Sequence, residues 1–271
     1  MDQAIGVIDS GVGGLTVAQE LMRQLPKEKL IYLGDTKRCP YGPRTKEEVQ
    51  RFTWEMVEFL LEKNIKTLVV ACNTATAFTL PDLREKLDIP VIGVIKPGAR
   101  AAIKSTLNNH VGVIGTEGTI LSNAYEHELK RIKSDIHVNS LACPLFVPMV
   151  EKGVLSGKIA KEVVEQSLQV MKDNNHIDTL ILGCTHYPLI KDTIQTFIGK
   201  HVTIVSSSEE TARETSTILD VHHLLYKGNR LPRHRFYMTG DQDAFTKVHQ
   251  SIFQNSIDNL YKITSEKVAI D

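Results

Sequence analysis

The stretch Leu182-Gly183-Cys184-Thr185-His186-Tyr187-Pro188 continues an apolar run that begins at Thr179, and it repeats a pattern met earlier in the chain. At a distance of 112 residues, Leu68-Val69-Val70-Ala71 delivers Cys72, followed by Asn73 and Thr74. Each apolar run reads as a strand buried in a parallel sheet. Ligands of open α/β sheets bind beyond the carboxyl ends of the strands. A thiol followed by hydrogen-bonding side chains at that place is a candidate site, and two such thiols point to paired chemistry.

The repeat extends beyond the cysteines. Ile5-Gly6-Val7-Ile8 empties into the turn Asp9-Ser10-Gly11-Val12-Gly13-Gly14, after which Leu15, Val17, Ala18, Leu21, Met22 and Leu25 recur at helical spacing up to Pro26. Val111-Gly112-Val113-Ile114-Gly115-Thr116 aligns with this first run at an offset of 106, pairing Gly115 with Asp9 and Thr116 with Ser10. Val202-Thr203-Ile204-Val205 matches Val91-Ile92-Gly93-Val94 at an offset of 111. Correspondences in the same order at similar offsets predict an internal duplication of an α/β unit. The predicted fold class is α/β: two similar α/β domains with mainly parallel sheets, related by pseudo-two-fold symmetry, with the active site in the cleft between them.

Between these landmarks, Leu30-Ile31-Tyr32-Leu33 reads as a strand that leads to the loop Lys37-Arg38-Cys39-Pro40-Tyr41-Gly42-Pro43-Arg44, of a type that carries function. Val49, Phe52, Thr53, Met56, Val57, Leu60 and Leu61 predict a helix, and a further helix over 74–87 contains Pro81, where a kink or a new start is expected. The second unit offers a strand near Val138-Asn139-Ser140-Leu141, a loop from Cys143 to Pro148 and a helix over 158–172. Residues 209–226 predict a helix packed back on the first unit. A strand at Phe236-Tyr237-Met238, a helix over 243–253 and a final strand at Lys267-Val268-Ala269-Ile270 follow. On this reading residues 1–97 and 209–271 form the first domain, which is discontinuous, and residues 98–208 form the second.

The 32 basic and 32 acidic side chains among 271 residues cancel, which removes any general attraction to nucleic acid or an anionic membrane. A small-molecule substrate is the default partner. No apolar stretch approaches the ~20 residues of a membrane span, and no signal segment precedes the strand-like run at Ile5, so the chain reads as cytoplasmic. Cys39, Cys72, Cys143 and Cys184 are too few for a disulfide framework, and reduced thiols are expected.

A pseudo-two-fold axis sets Cys72 opposite Cys184. One thiol takes a proton from one face of a carbon acid and the other returns one to the opposite face, which inverts a stereocentre without a redox step or cofactor. A free thiol has a pKa of about 8.5, so the cleft has to hold one cysteine as thiolate while the other stays protonated. Helix N-termini at Asn73 and Thr185 are expected to supply part of that bias. His186 stands two residues from Cys184 as a proton-transfer partner, and Asp9 ends the first strand beside the cleft. Charge developing on a carbon acid as it loses its proton calls for preorganised donors, which backbone amides, Ser10, Asn73, Thr74 and Thr185 supply. Cys39 reads as incidental to its loop and Cys143 as core packing. Two other readings stay open: zinc held by Cys72, Cys184 and His186, and a nucleotide bound at the glycine turn, although G-x-G-x-x-G needs a glycine where Thr16 stands.

Asp9-Ser10-Gly11-Val12-Gly13-Gly14-Leu15-Thr16-Val17, Pro40-Tyr41-Gly42, Ala71-Cys72-Asn73-Thr74-Ala75 and Gly183-Cys184-Thr185-His186-Tyr187-Pro188-Leu189 occur in that order. Together they resemble the cofactor-independent aspartate/glutamate racemase family over residues 5–210. The resemblance implies interconversion of L- and D-glutamate, supply of D-glutamate for peptidoglycan, two α/β domains around the site, and a homodimer. It implies that Cys72 acts on the α-proton of the D-enantiomer and Cys184 on that of the L-enantiomer, assisted by Asp9 and His186 respectively. The implied substrate contacts are Asp9, Ser10, Tyr41, Gly42, Asn73, Thr74, Glu151, Thr185 and His186, with no cofactor and no metal. Some members carry an N-terminal extension through which a cell-wall precursor activates them. This chain starts at its first strand, and no such activation is expected. Aspartate or another amino acid is the alternative substrate.

Overall fold

The computed structural model describes residues 2–173, 176–253 and 262–270. Its strands are β1 (Ala4–Asp9), β2 (Leu30–Gly34), β3 (Ile65–Val70), β4 (Val91–Gly93), β5 (His110–Gly115), β6 (His137–Ala142), β7 (Thr179–Gly183), β8 (Thr203–Ser206), β9 (Arg233–Met238) and β10 (Lys262–Lys267). The helices are α1 (Leu15–Gln24), α2 (Lys46–Leu61), α3 (Asn73–Lys86), α4 (Ile95–Ser105), α5 (Glu117–Leu121), α6 (Ala124–Ile132), α7 (Phe146–Glu151), α8 (Gly157–Lys172), α9 (Lys191–Ile198), α10 (Ser207–Val221) and α11 (Gln242–Phe253).

The strands form two parallel sheets, ordered β10-β9-β2-β1-β3-β4 and β6-β5-β7-β8. The second order repeats the β2-β1-β3-β4 part of the first, with β5 in the place of β1 and β7 in that of β3, which is the duplication the spacing predicts. Side chains alternate between two faces. Ile5, Val7, Leu30 and Tyr32 pack against α1, α10 and α11. Ala4, Ile8, Ile31 and Leu33 face α2 and α3. In the smaller sheet Val111, Val113 and Ile181 meet α4 and α6, while Ile114, Leu180 and Leu182 meet α7, α8 and α9. Helices on both faces explain why the central strands β1, β2, β3 and β7 are buried throughout. The equivalent cysteines therefore emerge at equivalent strand ends, just past β3 and β7.

Some element ends depart from the sequence pattern. α3 runs unbroken through Pro81, with Thr79 and Leu83 fully buried on either side of it. α10 packs on both α1 and α4 and stops at Val221 rather than at 226. His223 takes a φ of 57°, the Leu224 amide reaches back to the Leu219 carbonyl at 2.7 Å, and Leu224 and Leu225 pack on the α1 core. Such a left-handed cap ends a helix while its apolar followers stay inside. β10 precedes the expected stretch at 267–270, since the polar segment Lys262–Lys267 forms the ladder with β9. Among the described residues no helix is long and apolar enough to cross a membrane.

Candidate active site

β3 ends at Val70, and Cys72 is the N-cap of α3, its Sγ accepting the Ala75 amide hydrogen at 3.4 Å. Its thiol donates to Ser10 Oγ at 3.5 Å. Burial pushes the Cys72 thiol up to about 12, with the nearby Asp9 charge adding to it and the Ser10 and Ala75 contacts pulling the other way. Cys72 is thus protonated at neutral pH, as paired chemistry requires of one thiol.

Cys184 is built differently. The expected helix start at Thr185 is replaced by a turn and a 3₁₀ segment, Tyr187–Ile190, that precedes α9. The polar neighbour of this thiol is a side chain instead. His186 Nδ1 lies 3.7 Å from Cys184 Sγ, and His186 Nε2 lies 2.6 Å from Glu151 Oε1 at the end of α7. Burial opposes a charge on His186, but hydrogen bonds with Cys184, Cys39 and Glu151 outweigh it and hold the imidazole well above its usual range. Burial likewise works against the Glu151 carboxylate, yet His186, the Val12 amide and Cys39 leave it below its usual range. Glu151 accepts from the Val12 amide at 3.3 Å and from the Cys39 thiol at 3.5 Å, so it ties the glycine turn and the 37–44 loop to the second lobe.

Asp9 caps the glycine turn. Its Oδ2 accepts from the Gly11 and Gly14 amides at 3.1 and 3.0 Å, and Thr185 Oγ1 donates to its Oδ1 at 3.2 Å from the opposite lobe. A Cβ on Gly14 would sit 2.4 Å from the Asp9 Cβ, so only glycine lets the turn fold over the carboxylate. Burial pushes Asp9 up to about 6, against the His186 charge and these hydrogen bonds. Asp9 acts on Cys72 through its charge, whereas Ser10 and the Ala75 amide are in hydrogen-bond contact with it.

Threonines join the lobes. Thr74 Oγ1 lies 2.8 Å from Thr116 Oγ1 and 3.1 Å from Thr119 Oγ1, and the Gly118 amide donates to the Gly42 carbonyl at 2.9 Å. Asp35 anchors the 37–44 loop by accepting from Tyr41 Oη at 2.6 Å and Thr239 Oγ1 at 2.7 Å. Tyr125 Oη donates to Asn73 Oδ1 at 2.8 Å, while Asn73 Nδ2 is buried with no hydrogen-bond partner among the described residues.

One cavity between the lobes brings together Ser10, Tyr41, Gly42, Cys72, Asn73, Thr74, Cys184, Thr185 and His186. Asp9 and Glu151 stand behind this lining and reach it through Thr185 and His186. Thr116 and Thr119 also line it, and the repeat carried a signal for the first, since Thr116 is the counterpart of Ser10. Cys39, set aside in the sequence reading, touches Glu151, and no spacing announced it. The cavity has room of about 10 Å³, roughly that of one water molecule.

A family model for Asp/Glu/hydantoin racemases matches residues 5–215. The chain is 70% identical over 256 residues to the glutamate racemase of Oceanobacillus iheyensis, covering 94% of this chain and 93% of the relative. It is 55% identical over 267 residues to that of Bacillus cereus, covering 98% and 99%. A glutamate racemase isoform of Bacillus anthracis superposes with a TM-score of 0.92 at 51% identity, covering 98% of this chain and 97% of that one. The glutamate racemase of Francisella tularensis, solved in complex with D-glutamate, superposes with a TM-score of 0.89 at 37% identity, covering 100% and 98%.

Proposed function

The chain belongs to the Asp/Glu/hydantoin racemase family, and from that premise we propose that it interconverts L- and D-glutamate by proton transfer between two thiols, without cofactor or metal. The observation that carries this reading is that Cys72 and Cys184, delivered by equivalent strands, line one cavity. Cys184, beside the charged His186, takes the α-proton of L-glutamate. Cys72 gives its Sγ proton to the opposite face of the same carbon. One C–H bond breaks and one forms, and the enzyme ends with Cys184 protonated and Cys72 as thiolate, set for the reverse run on D-glutamate. The unpartnered Asn73 Nδ2, with Ser10, Thr74 and Thr185, meets the charge that builds on the substrate carboxylate. Asp9 orients Thr185, Glu151 orients His186, and Tyr41 and Gly42 close the wall.

On the same reading residues 1–97 and 209–271 act as one domain and 98–208 as the other. The protein works as a cytoplasmic homodimer whose D-glutamate enters peptidoglycan. The direct test is α-hydrogen exchange in D2O with each enantiomer of glutamate and no added cofactor. Exchange is expected with both, and Cys72→Ala and Cys184→Ala should each abolish racemisation. Full racemisation by either variant would overturn the two-thiol mechanism.

A further inference from the structure

Cys39, Glu151 and His186 come from three separate parts of the chain: the 37–44 loop, the end of α7 and the turn after β7. Their ligand atoms, one sulfur, one carboxylate oxygen and one imidazole nitrogen, all lie within 4.8 Å of one another. They also crowd the Gly11 backbone. A Cβ on Gly11 would stand 2.5 Å from Glu151 Oε1, 2.8 Å from Cys39 Sγ and 3.3 Å from His186 Nε2. Zinc takes carboxylate oxygen at about 2.0–2.2 Å, thiolate sulfur at about 2.3 Å and imidazole nitrogen at about 2.0–2.1 Å, in a tetrahedron that leaves one position for water. Donor atoms around such an ion stand roughly 3–4 Å apart, so three donors that lie within 4.8 Å of one another reach it by side-chain rotation, with the Glu151–His186 pair opening from 2.6 Å to admit the ion. Cys39 and Glu151 are half-buried, which gives an ion a route from solvent, whereas His186 is buried.

We propose that Cys39, Glu151 and His186 form a binding site for a zinc-class divalent cation, and that filling it stops catalysis. The donor set is one that such ions prefer, a soft sulfur with an imidazole and a single carboxylate. Binding replaces the proton on His186 Nε2 and the proton on the Cys39 thiol, and both go to solvent; Glu151 enters as the carboxylate it already is. His186 then has no labile proton on the Glu151 side, and its ring is fixed to the metal rather than free to follow Cys184 through proton transfer. The glycine turn that carries Asp9 is clamped as well, because Gly11 lies against the same three atoms. This site differs from the zinc reading open in the sequence, which used Cys72 and Cys184. The inhibitory effect rests on the racemase reading, whereas the binding does not.

The experiment uses the whole chain, freed of metal with a chelator. Co2+ should give a thiolate-to-cobalt charge-transfer band that Zn2+ displaces, and Zn2+ should inhibit racemisation reversibly on addition of EDTA. In Cys39→Ser, racemisation is read first without metal, as that variant's own baseline. The cobalt band should vanish, and the Zn2+ concentration for half-inhibition should rise by about tenfold or more, the scale on which metal sites respond to loss of a supporting group. Cys39→Ala serves the same purpose if the serine variant does not fold. No cobalt band in the parent protein overturns the proposal, as does a band or a zinc sensitivity undiminished in the Cys39 variants, which would place the metal on Cys72 and Cys184. A band that depends on Cys39 in a protein with no racemisation would uphold the site and overturn the functional reading instead.

Discussion

His186 makes the two thiols unequal. Cys184 has an imidazole 3.7 Å from its sulfur, while Cys72 has a hydroxyl and a backbone amide. Replacing His186 by Asn removes the charge beside Cys184 and leaves the surroundings of Cys72 intact. Because two enantiomers are equal in free energy, kcat/KM must fall equally in both directions, and the asymmetry shows in kcat and in isotope effects. Turnover of saturating L-glutamate should fall about 10²-fold or more, the scale of a lost acid–base partner, and turnover of D-glutamate by less. The primary isotope effect with α-deuterated L-glutamate should rise more than that with its enantiomer. Matching changes in both substrates would remove His186 from the Cys184 half-reaction. The thiols themselves were legible in the sequence because duplication marks them twice. Glu151, named by the resemblance alone, was not legible as the partner of His186, since it lies 35 residues away in sequence on a short helix with no repeat to mark it.

Helices and strands were legible where their apolar period meets a core and illegible where the backbone alone decides the end. α10 was read five residues too long because Leu224 and Leu225 keep the apolar spacing while serving a cap, and His223 supplies a left-handed turn without the usual glycine. β10 was misplaced because an edge strand need not be apolar. At Cys184 the expected helix gave way to a 3₁₀ segment carrying Pro188, so a motif similar to that of Cys72 sits on a different backbone. The junction of β9 with β2 offers a test at this scale. His234 on β9 accepts the Leu30 amide hydrogen at Nδ1, 3.1 Å away, and burial lowers its pKa from 6.5 to about 4. A folded pKa below the unfolded one means that the unfolded chain binds the extra proton. The contribution is therefore complete above the unfolded pKa and lost as pH falls toward the folded one. The loss amounts to roughly 3 kcal/mol across that window. Urea unfolding at pH 7.5, 5.5 and 4.5 should show the parent protein losing more stability than His234→Asn, whose amide does not titrate. Parallel losses would assign the acid sensitivity elsewhere.

At the scale of the whole molecule, the duplication sets two sheets with their strand ends facing one cavity, and the lobes close over it with almost no room to spare. One close loop–loop contact is where Gly42 meets Thr116. A Cβ on Gly42 would lie 2.5 Å from Thr116 Cβ and 3.0 Å from its Cγ2. The Gly42 carbonyl is bonded to the Gly118 amide, and Tyr41 is held by Asp35, so neither side can give way without moving its lobe. Gly42→Ala should act as a wedge that leaves each core untouched and spoils only the closed arrangement. The two thiols must address opposite faces of one carbon, and misplacing reacting groups by about 1 Å costs on the order of 10²-fold in rate. A fall in kcat of that size is expected, with the urea midpoint close to that of the parent protein, because none of the hydrophobic clusters includes Gly42. Thr116 contacts Thr74 through its hydroxyl, so the same wedge should also weaken the hold of α3 on the second lobe and raise KM. A Gly42→Ala protein with the kcat and KM of its parent would show that turnover does not require the lobes to meet this closely.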